Sequence, residues 1–286
     1  MTLVVAWYRE KFGQLWVAAD TRISGSPGII TDHGPKIFQV PILCRKLNTD
    51  DKTSRLYRGN YGFAFAGSTI SALGTHALAS ACCQNLVAER KIDPPTVEDV
   101  ANLYRKLADL QIREICSRTN PNQWQSFFFW GFVFGYCLLK KTFQLWVIES
   151  HLRENNFEVI MGELPVVPAI YYPMGSGKEQ FIRMMDAEAG SGSGMGVFHV
   201  MNEMIVAGVE SSVGGHLQVA TVGPAGVEIP PVLILGDKPY SGNTTFLGVA
   251  VDLLGKVGGF GVGYRAVGPD RDEMARHAAQ VGRTHE

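Results

Sequence analysis

The chain has 286 residues, 46% of them hydrophobic and 19% charged, with a formal net charge of −1. That length and apolar content suffice for one large folded unit, with or without an appendage, and the near-neutral balance sets it apart from nucleic-acid binders, which carry a basic excess. Five cysteines (Cys44, Cys82, Cys83, Cys116 and Cys137) form an odd count without a C-x-x-C pair, which reads as reduced thiols in a cytoplasmic protein and not as a disulfide framework.

The first twenty residues read as a hairpin. Residues 3–8 and 14–21 are β-branched and aromatic-rich and are joined by Arg9-Glu10-Lys11-Phe12-Gly13, a turn of moderate length. There is no basic region ahead of the first apolar run, so it is not a secretory signal. Residues 23–35 are Gly/Ser/Pro/Asp-rich and read as a loop, residues 36–40 as a short strand, residues 44–60 as a polar surface excursion and residues 61–67 as a strand. A first helix can start at Ser68 as N-cap, with Ile70, Leu73, Ala77 and Ala81 on one face, and run to about Arg90. A second opens on the capping box Thr96/Asp99, carries Val100, Leu103, Leu107 and Leu110 at helical spacing, and stops before Asn120-Pro121.

Three strand-like runs follow at 127–139, 142–149 and 157–161. The first is very apolar but far short of the ~20 residues that cross a bilayer, so no membrane partner is expected. A strand over 170–174 leads through Gly175-Ser176-Gly177 into a short helix over 178–186. Gly190-Ser191-Gly192-Ser193-Gly194 reads as a flexible linker, after which Val197, Val200, Met201, Met204 and Ile205 resume a helical stripe, and 217–222 and 232–235 are strands. Paired helices between groups of strands argue for an α+β fold and against a doubly wound sheet. Two facing sheets with a helix pair outside each would bury both stripes, a four-layer αββα sandwich. Residues 236–286 form a Gly-rich extension with no assigned role beyond the main unit at 2–235, and its last ~18 residues are a charged tail expected to be disordered.

The chemistry gathers near the start of the chain. With Met1 removed, Thr2 would carry a nucleophilic Oγ and, in its own α-amine, a general base; the amine titrates near ~8 in peptides. Asp20 ends the second strand and Lys36 opens the next, so both can reach Thr2. A cation there depresses the pKa of the Thr2 hydroxyl, and Asp20 holds that cation in place. Taken singly, Asp20 could cap a loop and Lys36 could be a solvated charge. The seven histidines show no metal-ligand spacing, and Gly175-Ser176-Gly177-Lys178-Glu179 lacks the spacing of a phosphate loop. No metal or cofactor is expected.

The stretches Thr2-Leu3-Val4-Val5-Ala6, Ala18-Ala19-Asp20-Thr21-Arg22, Lys36-Ile37, Phe65-Ala66-Gly67-Ser68, Gly175-Ser176-Gly177 and Gly214-Gly215 occur in an order and at a spacing that resemble proteasome-type β subunits, a family of N-terminal nucleophile hydrolases. Within that family the chain is most similar to bacterial proteasome homologues and HslV-type peptidases, over about residues 2 to 228. The resemblance implies the αββα sandwich of the N-terminal nucleophile type and a threonine endopeptidase. Thr2 is its nucleophile, Asp20 and Lys36 are its charge partners and the Gly67 N–H is its oxyanion donor. Ser176 lies near the terminal amine, a place where it could equally serve as a helix N-cap. Substrate-binding positions fall on Ile23, Ser24, Gly34, Phe65 and Thr69, with small or medium apolar side chains before the cut. The chain begins Met-Thr, so loss of a single Met is expected to free the nucleophile.

The same resemblance implies peptide or unfolded-protein substrates and homo-oligomeric stacked rings of twelve or fourteen subunits, fourteen preferred, with room for an ATPase unfoldase. The departures lie at Glu210-Ser211-Ser212-Val213-Gly214-Gly215, where family members have Asp-x-x-Ser-Gly-Gly. Glu210 keeps the carboxylate, but Val213 has no hydroxyl, so the support around Thr2 is expected to be looser and the activity weak. Two other readings stay open: a shell or scaffold with little or no proteolysis, and a small-amide amidohydrolase with the same nucleophile.

Overall fold

The computed structural model describes residues 2–25, 28–46, 55–89, 93–154, 156–191, 196–235, 242–263 and 265–268. β1 (Leu3–Arg9) and β2 (Gln14–Asp20) form the N-terminal hairpin, closed by Gly13 in the left-handed region (φ 59°). Where a loop was expected, β3 (Ile23–Gly25) and β4 (Gly28–Thr31) pair as a short hairpin. The β-branched run Ile29-Ile30-Thr31 favours extended backbone there. β5 (Ile37–Lys46) and β6 (Arg55–Gly67) are one long antiparallel pair, from Ile37↔Ala64 to Arg45↔Arg55. Most of the expected surface excursion is therefore strand, and its residues 47–54 lie outside the described residues.

α1 (Thr69–Cys83) ends earlier than expected, because Leu86–Ala88 (β7) pairs in parallel with Cys44–Lys46 at the sheet edge. Its expected apolar face is also corrected. Ile70 and Leu73 are exposed, and the helix buries Ser71, Ala72, Thr75, Ala79 and Cys83 instead. The reason is steric: Phe38 and Phe63 fill the space beneath it, so small residues let the helix come close. Half-buried His76 stacks on Phe63 (ring centroids 5.5 Å apart) and bonds to the Tyr104 hydroxyl through Nδ1 at 2.8 Å, and burial pushes its pKa down to about 4.

α2 (Val97–Cys116) begins with the expected Thr96/Asp99 capping box. Its buried face, Val100, Ala101, Tyr104, Ala108 and Ile112, is turned so that Leu110 is exposed. β8 (Phe129–Cys137), β9 (Thr142–Arg153), β10 (Asn156–Leu164) and β11 (Tyr171–Gly175) come next, then α3 (Lys178–Ser191) and α4 (Val197–Ala207). α3 runs into the stretch expected to be a linker, of which 192–195 lie outside the described residues. β12 (Leu217–Gly223), β13 (Gly226–Glu228) and β14 (Val232–Leu235) follow, and β14 joins β15 (Gly242–Phe246) and β16 (Val249–Ala250) in a small sheet. The tail at 269–286 lies outside the described residues.

The fold is α+β. One sheet has the order β11-β1-β2-β12-β13, the other β10-β9-β8-β6-β5-β7. Their central strands are apolar on both faces, so they read as continuous runs, and residue parity decides which cluster each side chain joins. Val4, Ala6, Val17 and Ala19 of the first sheet pack with Ala64, Ala66, Phe132 and Phe134 of the second. Leu3, Val5, Trp16 and Ala18 pack with Phe181 of α3 and Val200, Met201 and Met204 of α4. Phe63, Phe65 and Val133 pack with Ala72, Ala79, Val100 and Tyr104 of α1 and α2. Among the described residues no helix is long and apolar enough to cross a membrane, and the five cysteines are unpaired.

Candidate active site

Pairing of β1 with β2 in the register Val4↔Ala19 brings Thr2 and Asp20 to one end of the first sheet. Asp20 is fully buried, and its carboxylate collects donors on both oxygens. Thr2 Oγ1 (3.0 Å), the Leu3 N–H (2.9 Å) and Lys36 Nζ (2.8 Å) donate to Oδ1. The N–H groups of Arg22 and Gly214, each at 3.1 Å, donate to Oδ2. Lys36 is only 2% exposed. Burial pushes its pKa below the ordinary value, while the charge and hydrogen bond of Asp20 act against that shift. The hydroxyl of Thr2 and the ammonium of Lys36 thus meet on one carboxylate oxygen.

Gln218 of β12, buried inside a strand, holds the Lys36 turn in place. Its Oε1 accepts from the Lys36 and Ile37 N–H groups (3.1 and 3.2 Å), and its Nε2 donates to the Asp20 carbonyl (3.0 Å). A half-buried ion pair, Arg22 Nε to Asp32 Oδ1 at 2.7 Å, secures the neighbouring loop. It raises the Arg22 pKa and lowers that of Asp32.

The Thr2 nitrogen donates to Ser176 Oγ at 3.2 Å. Ser176 Oγ lies 2.7 Å from Ser212 Oγ, which donates to Glu210 Oε1 at 2.9 Å. A hydroxyl chain therefore runs from the nitrogen of Thr2 to the carboxylate of Glu210. Ser212 is the residue the sequence reading missed. The hydroxyl looked for at Val213 comes from its neighbour, while Val213 is fully buried in the cluster beneath α4. The signal was present, a serine one place early in the Glu210–Gly215 stretch, but motif spacing hid it.

Gly67 ends β6 with φ 109°, and a Cβ there would stand 2.7 Å from the Phe128 carbonyl oxygen. Gly175, opposite Leu3 on β11 with φ 98°, could carry a Cβ only 2.1 Å from the Thr2 carbonyl oxygen. Only glycine fits either place. Both line a cavity of about 680 Å³ that Thr2 and Ser176 also bound. Ile23, Ser24, Gly34, Phe65 and Thr69 are not among its lining residues. Phe65 packs on the helix side of its sheet, stacked on Phe38 (centroids 6.4 Å apart), and the Ile23 side chain covers Gly34. Ser24 and Thr69 are half-buried, at β3 and at the start of α1. Among the described residues no group of His, Cys, Asp and Glu could hold a metal ion.

A hydroxyl beside a buried ammonium, on a residue whose nitrogen is held by a hydroxyl chain, can attack a carbonyl carbon and pass its proton along. No family model matches the chain, and no curated protein matches it. Among solved structures it is similar to Anbu (ancestral beta-subunit) from Yersinia bercovieri, at 16% identity over 79% of this chain and 82% of that one, with a TM-score of 0.47. It is also similar to the helical assembly of the Anbu complex from Pseudomonas aeruginosa, at 16% identity over 99% and 94%, with a TM-score of 0.48. These findings correct the family expectation. The solved neighbours named are Anbu proteins and not HslV-type peptidases, and at such identity and TM-score the likeness carries neither family membership nor activity over to this chain.

Proposed function

We propose that the chain is an N-terminal nucleophile hydrolase that cleaves peptide bonds, with Thr2 as nucleophile once Met1 is removed. The observation that carries the reading is the sharing of Asp20 Oδ1 by Thr2 Oγ1 and Lys36 Nζ, at 3.0 and 2.8 Å. Removal of Met1 turns the Thr2 amide nitrogen into an amine already bonded to Ser176. The amine takes the hydroxyl proton, Oγ adds to the carbonyl carbon, and the Gly67 N–H holds the developing oxyanion, a role worth about 3–4 kcal/mol in hydrolases. The C–N bond then breaks, and the departing nitrogen receives the proton from the amine. Water, deprotonated by the same amine, hydrolyses the ester on Thr2. Lys36, held in place by Asp20, stabilises the charge on Oγ, and Glu210, Ser212 and Ser176 orient the amine.

In this reading residues 2–235 form the catalytic unit, an αββα sandwich of the N-terminal nucleophile type, and 236–286 form an extension. The protein is cytoplasmic and assembles with copies of itself, a reading supported by exposed Ile70, Leu73 and Leu78 on α1. A shell without proteolysis is the second reading, favoured by the burial of Thr2, which is 3% exposed.

Intact mass, N-terminal sequencing and a β-lactone probe test the proposal. It requires a mature Thr2 that takes up the probe and loses it in Thr2→Ala. A mature Thr2 that stays unlabelled sinks the hydrolase and leaves the shell.

A further inference from the structure

Across most of the interface between the two sheets, side chains from both sides fill the gap. At the Thr2 end they do not. There Gly67 and Gly175 contribute no side chains to the lining, and a cavity of about 680 Å³ opens between β8, β9 and β10 on one sheet and β11 on the other. That volume falls within the range of small-molecule sites, roughly 300–1,000 Å³. Trp130, Phe132, Val147, Leu164, Tyr172 and Met174 provide an apolar lining. Charge enters with one group of each sign, Glu149 and Lys178. The lining therefore offers no net charge to attract an ionic group.

The proton path decides which part of a substrate this cavity faces. In the mechanism proposed above, the leaving nitrogen receives its proton from the Thr2 amine. That nitrogen atom lies beside Ser176 Oγ, at 3.2 Å, and both Thr2 and Ser176 line the cavity. The leaving group thus departs on the cavity side.

We infer that this chamber between the sheets is a leaving-group site, and that it selects amides whose amine half carries a large uncharged apolar or aromatic side chain. The inference rests on the nucleophile reading of Thr2 and deepens it. Selection by the residue after the cut is a separate property from selection by the residue before it, and nothing in the positions 23, 24, 34, 65 and 69 would supply it.

The test uses the mature full-length protein and peptides with a constant acyl half, their residue after the cut being Ala, Leu, Phe, Trp, Lys or Asp. Cleavage is followed by mass spectrometry, with β-lactone labelling of Thr2 in parallel, because the lactone has no leaving residue to seat. Phe and Trp are expected to exceed Ala in kcat/KM by roughly ten- to a hundredfold, the range that apolar pockets discriminate, with Lys and Asp no better than Ala. Leu164→Trp, which fills the chamber, and Trp130→Ala, at a lining side chain 37% exposed, should each shrink the Trp-to-Ala ratio. Normal labelling with a flat series, or with a charged residue preferred, overturns the site and spares the nucleophile. A preference that both variants leave intact overturns the assignment to this chamber. Absence of labelling overturns both readings together.

Discussion

Replacing Lys36 by Met takes one charge out of a sealed pair. Asp20 keeps four donors, Thr2 Oγ1 and the N–H groups of Leu3, Arg22 and Gly214, but loses the ammonium 2.8 Å away. Both side chains are at most 3% exposed, so water cannot replace the lost partner. Breaking a buried pair in this way costs about 3–5 kcal/mol, which for a chain of this size is a drop in Tm of roughly 6–20 °C. Asp20→Asn strands the ammonium instead, at a cost of the same order. The double variant removes both charges, so its loss should fall short of the sum of the singles by at least about 1–3 kcal/mol. Urea unfolding of the four proteins measures this coupling directly. The rate of β-lactone labelling should fall about 10²- to 10³-fold in Lys36→Met, since an electrostatic partner of the attacking oxygen is gone. Additive losses within ~0.5 kcal/mol, or labelling at the wild-type rate, would refute the argument that this pair is both sealed and coupled to Thr2.

Ser212→Ala removes the hydroxyl that bonds the Glu210 carboxylate. Such bonds are worth about 1.5–3 kcal/mol, so labelling should slow about 10- to 150-fold, and Val213→Ser in that background should not restore it, because Val213 faces the core; recovery would show the chain of hydroxyls to be misassigned. His76 gives stability a pH dependence of defined sign. The unfolded chain protonates it near pH 6.5 and the folded chain only near 4, so its share of stability is complete above about 6.5 and is lost as pH falls toward 4. Allowing for its partial exposure the loss is about 2 kcal/mol, and urea titrations at pH 7 and 4.5 should show it shrinking in His76→Phe. Ile70→Glu places a charge at a side chain 68% exposed on α1. Light scattering should then report smaller particles than wild type, and an unchanged mass would remove α1 from the self-association surface.

Local chemistry was the most legible. The Thr96/Asp99 box and the N-terminal hairpin are set by neighbours in the chain, and the structure contains both. Thr2, Asp20 and Lys36 could be grouped because consecutive elements carry them, and the structure brings them together. α1 was read on the wrong face because its bulkiest residues are not its buried ones: packing against Phe38, Phe63 and α2 selects small side chains. Gln218 looked like an ordinary strand residue, although a lone amide in Leu217-Gln218-Val219-Ala220 was a signal that the interior needs its bonds. The chamber beside Thr2 had no signal at all. A void is made by strands far apart in sequence failing to meet, and no single segment records it.

β1 is an inner strand, flanked by β11 on one side and β2 on the other. Its residues alternate between two packed cores, Leu3 and Val5 in one, Val4 and Ala6 in the other. A slip of one residue would exchange all of them at once. The interior therefore works as a ruler for the chain's beginning: it measures back from Val4 and sets where the second residue must stop. A single residue inserted between Thr2 and Leu3 would leave the cores unchanged and still misplace the reacting atom, so accuracy at this site is inherited from packing that never touches a substrate.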